Sequence, residues 1–196
     1  MSINIPETIV YDVETTSIGE PYDLELSAIS LINSRDGIPR VFIGDDLQDG
    51  IELLKNAKRL AGFNSIKFDN AVMLKYMPRG EGRRFKNLPH WDPLFEMERQ
   101  FKGQRAPLRN FALTTLGPMY RKFELARTSS ATIAEQDPKL LKEYNKWDTY
   151  LTFLLMIHAY EKGYVKFRLP VERRLYFGNM NSKLAGKESV RRDTEF

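Results

Sequence analysis

One long segment limits the folds open to this chain more than any other feature. Asp137-Pro138 offers an N-cap followed by proline at the first helical position, and Gly163 offers a stop, so the sequence predicts a helix from Pro138 to Lys162. Along it Leu141, Tyr144, Asp148, Leu151 and Leu155 recur at helical spacing, a stripe that is otherwise apolar. An ionised carboxylate on an inward-looking stripe is costly unless it is paired or metal-bound. The alternative is an aspartate at the stripe's edge, partly in water. Lys142 and Lys146 point elsewhere on the helix, whereas Tyr144, one turn before Asp148, projects to the same side.

The segments before this helix read as strands first and helices later. Thr8 to Val13 is rich in β-branched residues and reads as a strand, Leu24 to Ile32 as a second and Arg40 to Gly44 as a third. Asp36-Gly37 between the last two signals a tight turn, in keeping with an antiparallel meander. Apolar residues at 47, 51, 54, 57 and 60 predict a helix, followed by a short strand from Leu60 to Phe63 and a helix from about Ile66 to Tyr76, ended by Pro78. From Arg79 to Gly117 the signals are weaker. Asp92-Pro93 predicts a helix to about Phe101, and Leu108 to Leu116 another. The expected fold class is α/β, with a mixed central sheet flanked by helices.

Composition narrows the chemistry. Among 196 residues there is no cysteine, which excludes disulfides, zinc–thiolate sites, iron–sulfur clusters and a cysteine nucleophile. Only His90 and His158 are available as imidazoles, so a metal would be held by carboxylates and would be a hard ion such as magnesium or manganese. There is no apolar run of about 18 residues and no secretory signal at Met1 to Glu7, so no membrane partner is expected and the expected location is cytoplasmic.

The net charge of +4 is unevenly spread: residues 1–78 carry 7 basic and 12 acidic residues, residues 79–109 carry 8 and 4, and residues 166–196 carry 8 and 4. The two basic segments also hold aromatics, Phe85, Trp91, Phe95 and Phe101 in one and Phe167, Tyr176 and Phe177 in the other. Cations for phosphates and rings for bases suit a nucleic-acid strand. A solvated surface over ordinary core aromatics accounts for the same composition.

Asp12 and Glu14 share one face of the first strand, opposite Tyr11 and Val13. Two neighbouring carboxylates repel unless a cation lies between them; a strand face that merely looks at water is the plain alternative. Asp69 opens the helix after the fourth strand, where an acid also favours the helix dipole. Two divalent ions about 3.5–4 Å apart need several carboxylates converging from different elements. Here two come from a strand, one from a helix start and one from the long helix.

This ordered set resembles the DEDD family of 3′–5′ exonucleases, in the subgroup with tyrosine in its third motif. Asp12-Val13-Glu14, followed by Thr15-Thr16, matches the first motif, Asp-x-Glu. Asn64-Ser65-Ile66-Lys67-Phe68-Asp69 matches the second, and Tyr144-Asn145-Lys146-Trp147-Asp148 the third. Ala61-Gly62-Phe63-Asn64 and the run Leu151 to Met156 add a likeness to the proofreading domain of family B DNA polymerases and its free-standing relatives, over about residues 7–162.

The resemblance implies a ribonuclease-H-like fold over residues 1–165. It implies a two-metal-ion 3′–5′ exonuclease in which Asp12, Glu14, Asp69 and Asp148 hold two magnesium or manganese ions and Tyr144 orients the attacking water. By the same analogy Thr15, Thr16, Asn64 and Phe68 touch the terminal nucleotide, although strand-end capping and core packing are open to the threonines and to Phe68. Arg83 and Arg84, with Arg79 and Lys86, are the first cations expected on phosphates, a solvated loop being the equal alternative. Single-stranded DNA is the favoured substrate and RNA the alternative. Residues 166–196 form a basic extension, read as partly disordered or as an arm for a protein partner. The sequence is expected to act as a stand-alone enzyme or a subunit. The competing reading is a catalytically silent or partner-activated nucleic-acid-binding module of the same fold.

Overall fold

The computed structural model describes residues 5–120, 137–178 and 180. Its centre is a five-stranded sheet in the order β3-β2-β1-β4-β5. Strands β1 (Ile9–Thr15), β2 (Leu26–Asn33) and β3 (Pro39–Ile43) form the antiparallel meander. The Asp36-Gly37 turn closes β2 to β3, with Gly37 at φ +66°. Strands β4 (Leu60–Ala61) and β5 (His90–Trp91) join β1 in parallel. This mixed sheet between helices is the expected α/β arrangement.

Alternation along β1 assigns the two faces. Tyr11 and Val13 point into a core shared with Ile29 and Leu31 of β2 and with three helices, α1 (Leu47–Lys55), α2 (Asp69–Leu74) and α3 (Arg79–Lys86). Val10 and Ile32 point the other way, into a core built with α4 (Pro93–Gln100), α5 (Leu108–Thr115) and the long helix α6 (Pro138–Lys162). α6 runs across β1, β2 and β3. It starts and stops where the sequence predicts: the Asp137 carboxylate accepts the N–H groups of Lys139 and Leu140, and Gly163 caps the end in the left-handed region. Among the described residues no helix is long and apolar enough to cross a membrane.

Two helices are shorter than their periodicity predicts. α1 ends at Lys55, not Leu60, because the Asn56 side chain donates to the Glu52 carbonyl and takes over the last turn. The period runs on because Ala57 and Leu60 enter the same core from a turn and from β4. α2 begins at Asp69, not Ile66. The backbone N–H groups of Asn64 and Ile66 are turned toward the Asp92 carboxylate, and Asn64 sits at φ +65°.

The core also continues past residue 165, where the sequence places the start of an extension. β6 (Tyr164–Arg168) and β7 (Glu172–Tyr176) form a separate antiparallel hairpin. Val165, Phe167, Leu175 and Phe177 bury themselves in the core formed with α4, α5 and α6, so alternation in this basic segment serves packing on one side. The expectation for 181–196 lies outside the described residues.

Candidate active site

The candidate site lies at the C-terminal end of β1, where the sheet opens. β4 is two residues long and meets β1 only at Ile9 and Val10, which leaves the next stretch of β1's edge without a strand partner on that side. The Val13 N–H on that edge donates to Asp69 Oδ1 at 2.9 Å. The first residue of α2 is thereby fastened to the strand that carries Asp12 and Glu14. Asp69 is buried, with 3% of its surface exposed.

From the other side comes α6. Asn145 is fully buried and its Nδ2 donates to Asp12 Oδ2 at 2.6 Å. Asp148, one turn on, is 4% exposed, on a buried face of α6. The inward-looking reading of the stripe therefore holds for Asp148. Tyr144 stands one turn earlier and is half-buried. Asp12 and Glu14 are half-buried on the face of β1 that looks toward α6.

Electrostatics mark this end of the sheet as strongly negative. The Asp69 carboxyl is pushed up to about 8, first by burial and then by the nearby charges of Asp92 and Glu14, against the pull of backbone N–H donors. Burial, followed by the charges of Asp69, Asp92 and Asp12, holds the Tyr11 phenol well above its usual range. His90, by contrast, is driven down to about 3 by burial. Its ring is neutral at physiological pH, bonded between Ser65 and Asn70, so it carries no charge to offset the carboxylates.

The donor set fits a hard divalent cation. It consists of buried or half-buried carboxylates without sulfur or free imidazole, and a cation would offset both the burial that mainly raises Asp69 and the repulsion from Asp92 and Glu14 that adds to it. Two buried oxygens beside Asp12, Asn145 Oδ1 and Ser30 Oγ opposite it on β2, have no hydrogen-bond partner among the described residues. Still, among the described residues no three carboxylate or imidazole groups stand close enough together to hold an ion as they are placed.

The substrate-binding candidates divide. Asn64 lies in the turn that leads into Asp69, its side-chain oxygen accepting from Arg105 Nη2 at 3.1 Å. The Thr15 hydroxyl is spent on the Ser17 carbonyl, while Thr16 is exposed. Phe68 is half-buried and packs into the α1/α2 core. Arg83 and Arg84 are not brought to the carboxylates. Gly82 and Phe85 anchor α3 on the α1/α2 side of the sheet, the face away from α6, and Arg84 donates to the Ala57 carbonyl there.

Sequence reasoning missed Asn145, Arg105 and the larger role of Asp92. Asn145 was legible, since it lies three residues before Asp148 on the same helix face. Arg105, which also pairs with Glu98 at 2.9 Å, had no signal. Asp92 shows in the sequence only as a helix cap. Its carboxylate does cap α4, accepting from Leu94 and Phe95, but it also accepts from Asn64 and Ile66 and is 1% exposed. One buried side chain thus ties the loop that leads into Asp69 to α4. Replacing Asp92 with alanine strands four backbone donors, and we expect a loss of about 3–5 kcal/mol from a buried polar network broken on one side. Urea unfolding checks this; a loss below about 1 kcal/mol would show that the loop does not depend on the clamp.

No family model matches the chain, and no curated protein matches it. Among solved structures, the fold is similar to part of the family B DNA polymerase of the hyperthermophilic archaeon Pyrobaculum calidifontis. The likeness has a TM-score of 0.50 and 14% sequence identity, and covers 78% of this chain. The chain spans 25% of that polymerase, and at this identity the likeness is one of fold.

Proposed function

We propose that the chain is a metal-dependent 3′–5′ exonuclease acting on single-stranded nucleic acid, DNA in preference to RNA. The observation that carries the reading is the meeting of α6, α2 and β1. Asn145 of the third motif grips Asp12 of the first, while Asp69 of the second grips the backbone beside Asp12. Three motifs far apart in sequence reach the same end of one strand, which a chance match would not require.

In this reading Asp12, Glu14, Asp69 and Asp148 would hold two magnesium or manganese ions. Such ions would lower the pKa of a bound water and offset charge on the leaving oxygen. Water adds to phosphorus at the last phosphodiester, the P–O3′ bond breaks, and a 5′-mononucleotide leaves a strand one residue shorter. The remaining work belongs to the chain. Asn145 fixes the Asp12 rotamer, and the Val13 N–H fixes Asp69. Tyr144 orients the water and does not deprotonate it, because a phenol with a pKa near 10 is a poor base at neutral pH. Asn64, with Arg105 bonded to it, holds the terminal nucleotide.

The test is degradation of 5′-labelled single-stranded DNA and RNA with magnesium, manganese or chelator, for wild type and Asp12→Ala. A metal-dependent ladder shortening from the 3′ end, absent in the variant, is expected. The rival, a silent or partner-activated binding module, has the spacing of the carboxylates in its favour, since no three of them chelate as placed. It predicts binding of both strands with no shortening under any metal.

A further inference from the structure

The β6–β7 hairpin is two-faced, and only its inner face has a structural task. Val165, Phe167 and Leu175 are buried in the core. The outer face carries Tyr164, Lys166 and Arg168 on one strand and Tyr176, Arg174 and Glu172 opposite them, in that register. Lys166 therefore stands directly across from Arg174. Like charges facing each other across an antiparallel pair are destabilising, and nothing in the core calls for them.

Charge and aromatic surface are interleaved on this face. Its three cations have Glu172 as the only acid in the two strands; Lys166 pairs with it at 3.2 Å and Arg168 at 3.8 Å. The Arg174 guanidinium lies 4.6 Å from the Tyr164 ring centre, and the Tyr164 and Tyr176 rings are 5.8 Å apart. Tyr176 leaves 57% of its surface exposed, although Phe177 beside it is buried.

The edge of β6 is closed. The Thr115 hydroxyl and the Asn110 amide each bond both the N–H and the C=O of one β6 residue, Lys166 and Arg168 respectively. A partner strand cannot add at those positions. What is left for a partner is the face, held rigid on the core and so already arranged.

We propose that this outer face binds single-stranded nucleic acid, with Lys166, Arg168 and Arg174 on the phosphates and Tyr176 stacked on a base. Cations that follow a backbone, with rings that accept any base, suit a single strand without sequence preference. The hairpin follows α6 and packs against α4, α5 and α6, and none of its outer-face residues belongs to the set gathered at the end of β1. It would take a part of the strand other than the terminal phosphodiester. As a grip on the substrate it rests on the exonuclease reading; as a binding face it does not.

The test is fluorescence anisotropy in chelator, so that nothing is cleaved, with a labelled oligothymidylate of ~16 nucleotides and with a trinucleotide. Lys166→Ser/Arg174→Ser should weaken binding of the longer strand about tenfold and flatten the slope of log K against log salt by about 1.4. Tyr176→Ala should cost about tenfold through lost stacking. Glu172→Gln, which removes the face's carboxylate, should tighten binding several-fold, a gain that misfolding cannot imitate. The trinucleotide, too short to engage this face and the candidate site together, should bind more weakly than the longer strand. Unchanged affinity for the longer strand in all variants overturns the inference. So does equal competition by dextran sulfate with a silent Tyr176→Ala, which would indicate a cation patch blind to bases. Binding that follows these variants in a protein that shortens no strand would sink the exonuclease and leave this face standing; strand shortening with unaffected binding would do the reverse.

Discussion

Replacing Asp148 with asparagine should cut metal-dependent shortening of a labelled strand on the order of 10³-fold, while the protein stays folded. The side chain sits on the buried face of α6, and asparagine keeps its size and removes its charge. Thr152, whose hydroxyl bonds the Asp148 backbone carbonyl, keeps that partner in the variant, so the helix is not disturbed. Asn145→Ala should be milder, about 10–100-fold, because it removes an orienting contact to Asp12 and not a ligand. Single-turnover rates with thermal melts on the same samples separate the effects. An Asp148→Asn protein that melts normally yet shortens strands within tenfold of wild type would end the two-metal reading.

Stability should depend on pH and on divalent cation together, through Asp69. Its carboxyl in the folded chain is raised to about 8, mainly by burial. In the unfolded chain it titrates near 3.9. The folded state therefore keeps a proton that the unfolded state gives up. Stability from this group is complete below about pH 4 and is lost as pH rises toward 8. In chelator, the melting temperature should fall across that window, and Asp69→Asn should flatten the fall. Manganese at pH 8 and a hundredfold excess over its Kd should restore about 2.7 kcal/mol. For a domain of this size that is roughly 5–10 °C. The same addition at pH 5 should do less, because protons compete for the carboxylate. A melting temperature blind to manganese at pH 8 would mean that the carboxylates bind no cation.

The parts that came through from sequence are those where local chemistry and global fold agree. Asp137-Pro138 and Gly163 mark the long helix because caps are short-range, and β1 shows its two carboxylates because alternation needs only neighbours. What escaped depends on distant partners. No local pattern says that Asp92 would reach back to Asn64, since its cap role already satisfies the eye. The shortness of β4 is set by the turn through Asn64, not by the apolar run Leu60 to Phe63. The basic hairpin looked like a tail because its charges lie outward and only every second residue packs. Only charge marks Arg83 and Arg84 in the sequence, and charge does not reveal on which side of a sheet a helix settles.

The brevity of β4 has a last consequence. A fuller strand would have paired with β1 along its length and given Val13 an ordinary amide partner. Because it stops early, that amide answers to a side chain. A proton bonded to a carboxylate changes its magnetic environment when the carboxylate gains or loses charge. The Val13 resonance is therefore a built-in gauge of Asp69, readable from the main chain without a label in the pocket.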